Sequence, residues 1–125
     1  MLFRSGDFLM NGQELATAVQ YGLPIVFVVV NNGMYGTIRM HQEREYPARV
    51  YGTALVNPDF AALARAYGAS GETVQETAQF APAFERAIET AEATGKPALI
   101  EVRIDPQAIT TSTTLDAIRA RALKG

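Results

Sequence analysis

The apolar positions of the chain form two patterns, short continuous runs and longer stretches with helical spacing. The clearest run, 25–30, is apolar at every position and mostly β-branched. That composition is typical of a central strand in a parallel sheet whose two faces are both covered. A second strand is predicted at 98–104, and a shorter, weaker one at 69–74.

Helical segments are predicted between and after these strands. The first covers 12–21, where Asn11 is the expected N-cap and Glu14 stands at the capping-box spacing. The spacing of apolar residues predicts further helices at 34–45, 57–68 and 82–94, then a loop at 106–114 and a short helix with Thr113 and Asp116 at the capping-box spacing.

The same patterns predict which helical side chains are buried. Phe80, Phe84 and Ile88 recur at helical spacing and are expected to lie in the core. The charged residues 43–45 are expected on an exposed helix end.

The alternation of helices and strands predicts an α/β fold with a mostly parallel sheet and helices on both faces. The predicted strands are few for so many helices. We therefore expect the chain to be part of a larger sheet that lacks strands at its beginning.

Composition narrows the possible functions. Apolar residues make up 48% of the 125 residues, so a folded domain is expected. The net charge of −2 gives no basic field for nucleic acid, and no apolar run is long enough to span a membrane. The chain has no cysteine, which excludes metal sites that use thiolates. Its one histidine, His41, excludes metal sites that need several histidines. The first five residues lack the apolar region of a secretory signal, so a cytoplasmic location is expected.

Candidate chemistry lies where the strand 25–30 ends. Asn31, Asn32 and Gly33 follow it and precede a helix start. Ligands of open parallel sheets bind beyond the carboxyl ends of strands, where backbone N–H groups suit a phosphate and amide oxygens suit Mg²⁺. Asn and Gly also tolerate left-handed backbone, so these three residues alone favour an ordinary turn.

The wider sequence resembles a known motif. Residues 6–18, followed by Leu23-Pro24, the apolar strand and Asn31-Asn32, resemble the thiamine diphosphate motif, and most closely the acetolactate synthase-like group in its C-terminal, diphosphate-binding domain. The stretches 57–64 and 96–102 are similar to that group as well. The resemblance implies a truncated thiamine diphosphate-binding fold over 6–125, with 1–5 a non-family or truncated start.

The resemblance also implies site residues and two cofactors, thiamine diphosphate and Mg²⁺. The backbone N–H groups of Gly6 and Asp7 match positions that approach the diphosphate. Asn32 matches the Mg²⁺-binding side chain, Met34 matches a residue that binds Mg²⁺ through its backbone carbonyl, and Gly33 lies between them.

One position departs from the family pattern. The spacing to Asn31 places the family's metal-binding Asp at Ser5, so Mg²⁺ binding is expected to be weak. Whether Asp7 replaces that ligand stays open. No catalytic residue is assigned, because the family's activating glutamate lies in a separate N-terminal domain.

Two functions follow as hypotheses. The first is a cofactor-binding fragment of a 2-keto acid decarboxylase or carboligase, a lyase or transferase. It works with an N-terminal pyrimidine-binding domain that this chain does not contain, and as a homo-oligomer. The isolated chain should be nearly inactive, with weak or no cofactor binding. The alternative is a non-catalytic α/β oligomerisation module that keeps the family fold.

Overall fold

The computed structural model describes residues 1–124, which divide into two compact units. The first unit consists of Met1–Asn31 and Asn57–Arg103. The second consists of Asn32–Val56 and the segment from Ile104 onward.

Strands and helices are interspersed along the whole chain. The strands are β1 (Leu2–Arg4), β2 (Val26–Asn31), β3 (Ser70–Val74), β4 (Ala98–Arg103), β5 (Ala108–Thr110) and β6 (Thr113–Thr114). The helices are α1 (Ser5–Asn11), α2 (Glu14–Gln20), α3 (Gly36–Glu45), α4 (Phe60–Ala66), α5 (Thr77–Thr94) and α6 (Leu115–Ala122). Within residues 1–124, no helix has both the length and the apolar character needed to cross a bilayer.

The first unit is built on a four-stranded parallel sheet in the order β1-β2-β4-β3. Helices α1, α2 and α4 pack on one face around Phe27, Val29 and Leu99. Helix α5 packs on the other face, over Ala98 and Ile100. The predicted α/β fold with a parallel sheet and helices on both faces is therefore confirmed.

The strands predicted at 25–30, 69–74 and 98–104 are confirmed within one residue at each end. Strand β1 was not predicted, since three residues that include Arg4 carry no periodic signal. It is nevertheless paired with β2 from Leu2 to Arg4.

The first predicted helix is wrong in its bounds and its cap. The chain forms two helices there, and Asn11 ends α1 instead of capping the next helix. Gly12, between the two helices, lets the Phe8 ring pack against the backbone, because a Cβ at this position would lie 2.8 Å from Cε1 of Phe8. Phe8 is buried in the core, so its ring cannot move aside easily.

Helix α5 begins before the predicted start, and Pro82 lies inside it. The side-chain oxygen of Gln79 accepts hydrogen bonds from the backbone N–H groups of residues 75 and 76, which fixes the earlier start. The expected core residues Phe80, Phe84 and Ile88 are each 37% exposed, so that expectation is wrong. Three alanines of α5 face the sheet instead, since small side chains let the helix lie close to it; they are Ala83, Ala87 and Ala91.

The second unit contains α3, α6 and a hairpin of β5 and β6. The N-cap of α6 is Thr114, one residue after the predicted position, and its hydroxyl accepts a hydrogen bond from the backbone N–H of Ala117. Glu43 was expected to be exposed but is fully buried. Its carboxylate binds Arg39 at 2.7 Å and Arg119 at 2.6 Å, which compensates for the loss of water.

Candidate functional site

The strands of the first unit all end at one edge of the sheet. Arg4 of β1 pairs with Val30 of β2, and Val30 and Val74 both pair with Val102 of β4. The carboxyl edge of a parallel sheet is where α/β proteins bind ligands. The segments that follow β1 and β2 are therefore the candidates for a site.

Helix α1 starts directly after β1. The side chain of its N-cap residue, Arg4, does not cap the helix. The first N–H groups of a helix have no partner within the helix, which suits them to an anion. Ser5 and Gly6 are buried, whereas Asp7 is exposed. The buried Ser5 hydroxyl has no hydrogen-bond partner within residues 1–124. This start of α1 offers backbone donors and one neutral oxygen.

The segment after β2 opens the second unit with a tight turn. The side-chain oxygen of Asn32 accepts a hydrogen bond from the backbone N–H of Met34 at 3.3 Å. Gly33 has a φ of +67°, a conformation that favours glycine. Its carbonyl accepts from the N–H of Leu55, and the N–H of Tyr35 donates to the carbonyl of Thr53. These bonds hold the turn in one shape.

The predicted site residues therefore form two groups. Gly6 and Asp7 lie together at the start of α1 in the first unit, while Asn32, Gly33 and Met34 share the turn that opens the second unit. Each group directly follows a strand end of the parallel sheet.

The groups at these positions are oxygens, which can ligate a hard cation, and backbone N–H groups, which can donate hydrogen bonds to an anion. Within residues 1–124, no cluster of three or more His, Cys, Asp or Glu side chains is placed to hold a metal ion. Mg²⁺ is often bound through few protein ligands together with substrate phosphates and water. The start of α1 by itself fits a phosphate, through the backbone N–H groups of Gly6 and Asp7. The turn 32–34 by itself offers the neutral oxygens of Asn32 and Met34, which are of the kind that a hard cation such as Mg²⁺ binds.

A buried polar network at the carboxyl edge was missed from the sequence. Glu101 is fully buried in β4, and its carboxylate accepts hydrogen bonds from the side chains of Asn31 at 2.6 Å and Thr73 at 3.1 Å. Arg103 donates to both of its oxygens at 3.3 Å, and Asn57 donates to the side-chain oxygen of Asn31 at 2.7 Å. The sequence does carry one signal for this network, because Glu101 is a charged residue inside the otherwise apolar stretch 98–102.

The chain matches a family of thiamine pyrophosphate enzymes and is similar to several of their relatives. Residues 5–102 match the family model described as thiamine pyrophosphate enzyme, C-terminal TPP binding domain. The chain is 43% identical over 76 residues to the acetolactate synthase large subunit of Parasynechococcus marenigrum, covering 58% of this chain. It is 36% identical over 101 residues to the acetolactate synthase isozyme 2 large subunit of Escherichia coli, covering 80% of this chain. The matched parts are only 12% and 18% of the lengths of those two relatives.

Two solved structures of similar fold are described as decarboxylases. A thiamine diphosphate-dependent 4-hydroxybenzoylformate decarboxylase of Rhodococcus jostii matches with a TM-score of 0.73 and 33% identity. The match covers 83% of this chain and 19% of that one. A benzoylformate decarboxylase of Polynucleobacter necessarius matches with the same TM-score and 28% identity, over 84% of this chain and 19% of that one.

Proposed function

The chain belongs to the thiamine pyrophosphate enzymes, as their C-terminal TPP-binding domain, and we propose that it serves a 2-keto acid decarboxylase or carboligase resembling acetolactate synthase. The acetolactate synthase relatives and the two decarboxylases of similar shape support this reaction class. The proposed domain is 6–125, after a non-family or truncated start at 1–5; the family match covers residues 5–102.

One observation carries the proposal: both groups of predicted site residues directly follow adjacent parallel strands, β1 and β2. The backbone N–H groups of Gly6 and Asp7 bind the pyrophosphate at the start of α1. The side-chain oxygen of Asn32 and the backbone carbonyl of Met34 bind Mg²⁺. Gly33 provides the left-handed residue that brings the N–H of Met34 to the Asn32 oxygen.

The chain's own residues bind and orient the cofactor. Bound thiamine pyrophosphate supplies the electron sink for breaking or forming the bond beside a keto carbonyl. This chain has no residue to which we assign acid–base chemistry; a separate N-terminal pyrimidine-binding domain supplies it. The proposal includes a cytoplasmic homo-oligomer as the working assembly.

The experiment exploits Ser5, which stands where the family has its metal-binding Asp. Wild type and Ser5→Asp are titrated with thiamine pyrophosphate with and without Mg²⁺, followed by the backbone amide NMR signals of residues 6, 7, 32 and 34. Wild type should bind weakly. Ser5→Asp should bind about tenfold more tightly, or about 1.4 kcal/mol, and only with Mg²⁺.

Ser5→Asn is the matched control, because it has nearly the shape of Asp without the charge. It should leave the affinity near that of wild type, and circular dichroism checks that each variant is folded. Tight binding by wild type would contradict the assigned role of Ser5. If neither protein binds the cofactor, even with an N-terminal domain of a relative added, the proposed function is wrong.

The alternative, a non-catalytic oligomerisation module, is favoured by one observation. Phe80, Phe84 and Ile88 form a partly exposed apolar stripe on α5, and the rings of Phe80 and Phe84 stack at 5.8 Å between centroids. Under this alternative, Phe84→Ser should lower the mass measured by light scattering, and the chain should bind no cofactor with the N-terminal domain present.

A further inference from the structure

The chain passes between its two units at three points, and the residues of the first unit at these points are linked to one another. They are Asn31, Asn57 and Arg103. Asn57 donates to the side-chain oxygen of Asn31, whose own Nδ2 donates to Glu101, and Arg103 donates to Glu101. The hydroxyl of Thr73 also donates to Glu101. We name these five residues the junction network.

Packing alone does not require a carboxylate at the centre of this network. The neighbouring positions of β4, Leu99 and Ile100, are buried apolar residues, and Glu101 is buried equally. Removing a carboxylate from water is costly, and a buried ion pair is weak support for stability. Such groups are instead suited to specifying one arrangement when the charged group has all its hydrogen bonds. At the outer end of the network, Oδ1 of Asn57 has no partner within residues 1–124. Both oxygens of Glu101 are satisfied, by Asn31, Thr73 and Arg103.

The network uses both ends of the Asn31 amide. Its Nδ2 group faces Glu101 at 2.6 Å, and its oxygen accepts from Asn57 at 2.7 Å. An aspartate at this position would place an acceptor against the Glu101 carboxylate. With both ends bound, the side chain of Asn31 is fixed, and Asn31 is the last residue of β2 before the turn at Asn32.

We propose that Glu101 is a positioning residue, which holds Asn31 and thereby the strand end from which the turn 32–34 begins. In the Asn31-Asn32 pair, the side chain of Asn31 then holds the strand end in place, and the side chain of Asn32 is the one that can bind a ligand. The value of this positioning for cofactor binding rests on the proposed function. The positioning itself stands on the geometry of the first unit.

The test is amide hydrogen exchange of the full chain, measured by NMR. In Glu101→Gln, one acceptor becomes a donor group that cannot serve Asn31, Thr73 and Arg103 together. The amides of Met34 and Tyr35 should exchange at least about tenfold faster than in wild type. The control Glu72→Gln removes the exposed ion pair between Glu72 and Arg86 in the same unit and should leave those two amides unchanged.

Thr73→Val separates positioning from stability. It removes one hydrogen bond to Glu101 but leaves the bond between Asn31 and Glu101 in place. The turn amides should keep their wild-type exchange rates while the strand amides lose protection. If Thr73→Val and Glu101→Gln speed exchange in the turn equally, or if Glu101→Gln leaves the turn unchanged, the proposal is overturned.

A second variant covers the case in which Glu101→Gln does not fold. Asn57→Ala removes the outer hydrogen bond of the network at a half-buried position and should speed exchange of Met34 and Tyr35 in the same direction. Unchanged turn amides in this variant would overturn the proposal.

A cofactor titration distinguishes this proposal from the proposed function. With millimolar thiamine pyrophosphate and Mg²⁺, Glu101→Gln should lose the NMR shifts of residues 32 and 34 and keep those of residues 6 and 7. If wild type shows no shifts at all, the proposed function fails, and the exchange rates still decide whether Glu101 positions the turn.

Discussion

The two units of the chain each bury one carboxylate completely, yet they differ in what surrounds it. Glu101 lies in a sheet between two apolar clusters. Glu43, in the second unit, is bound by two arginines and the backbone N–H of Ala48. Within residues 1–124, Leu115 is the one buried apolar side chain that belongs to the second unit.

This difference indicates that the two units are sensitive to different changes. The first unit depends mainly on apolar burial, which is little affected by pH or salt. The second unit buries the Glu43 carboxylate, so it is destabilised by any change that takes away the charge of Glu43 or its partners, including protonation. Glu43 also holds Ala48, whose φ of +61° is unfavourable for a residue with a side chain.

The largest effect should come from Glu43→Ala. It leaves Arg39 and Arg119 without their shared partner and frees the N–H of Ala48. Removing one partner of a buried pair costs about 4 kcal/mol, and the loss should be confined to the signals of the second unit in urea unfolding followed by NMR. Glu45→Ala, an exposed neighbour, is the control. If Glu45→Ala destabilises the second unit as much as Glu43→Ala does, the buried carboxylate is not what distinguishes this unit from the first.

A matching change in the first unit should act differently. Ile100 is fully buried beneath α5, and Ile100→Ala should destabilise the first unit by about 3 kcal/mol through the cavity it leaves. Because no charge is involved, the effect should be the same in low and high salt. Repeating the urea unfolding in roughly 1 M NaCl, where charges are screened within a few ångströms, is the check. A strong salt dependence would contradict apolar burial as the main source of stability.

Lowering the pH should destabilise the second unit, by less than either of these substitutions. The hydrogen bond from Arg119, opposed by burial and aided by Ala48 and Arg39, lowers the pKa of Glu43 from 4.5 to about 2. A lowered carboxyl pKa gives stability that is present above pH 4.5 and lost as the pH falls toward 2. The second unit should lose on the order of 2 kcal/mol over that range.

The measurement is amide exchange at several pH values, corrected for the intrinsic pH dependence of exchange. Glu43→Gln should abolish the extra loss in the second unit, since the titrating group is gone. If the second unit of that variant is still as acid-sensitive as wild type, another carboxyl group is responsible.

Local sequence signals predicted much of the fold but placed several side chains wrongly. The apolar strands β2 and β4 were predicted because nearly every position in them fits a sheet covered on both faces. The stripe of Phe80, Phe84 and Ile88 was predicted to be core, because periodicity identifies an apolar face without saying how closely the helix approaches the sheet. Helix α5 turned its alanines inward instead.

The candidate site was predictable as a motif, and only in part as an arrangement. Gly6, Asp7, Asn32, Gly33 and Met34 were selected by resemblance, and their roles stay predictions. Asn31 appeared from the sequence to be one more polar residue of the turn. Its place in the junction network, between Glu101 and Asn57, could be known only from the tertiary structure.

The sequence by itself determined the order of the main helices and strands, the parallel sheet and the turn after β2, because these follow from the spacing of neighbouring residues. The tertiary structure alone decided which polar side chains are buried and with what partners. Asn31 and Glu101 are 70 residues apart in sequence, and Glu43 and Arg119 are 76 apart. No local pattern encodes such pairs, since each carboxylate is stable in the interior only once the folded chain has brought its donors to it.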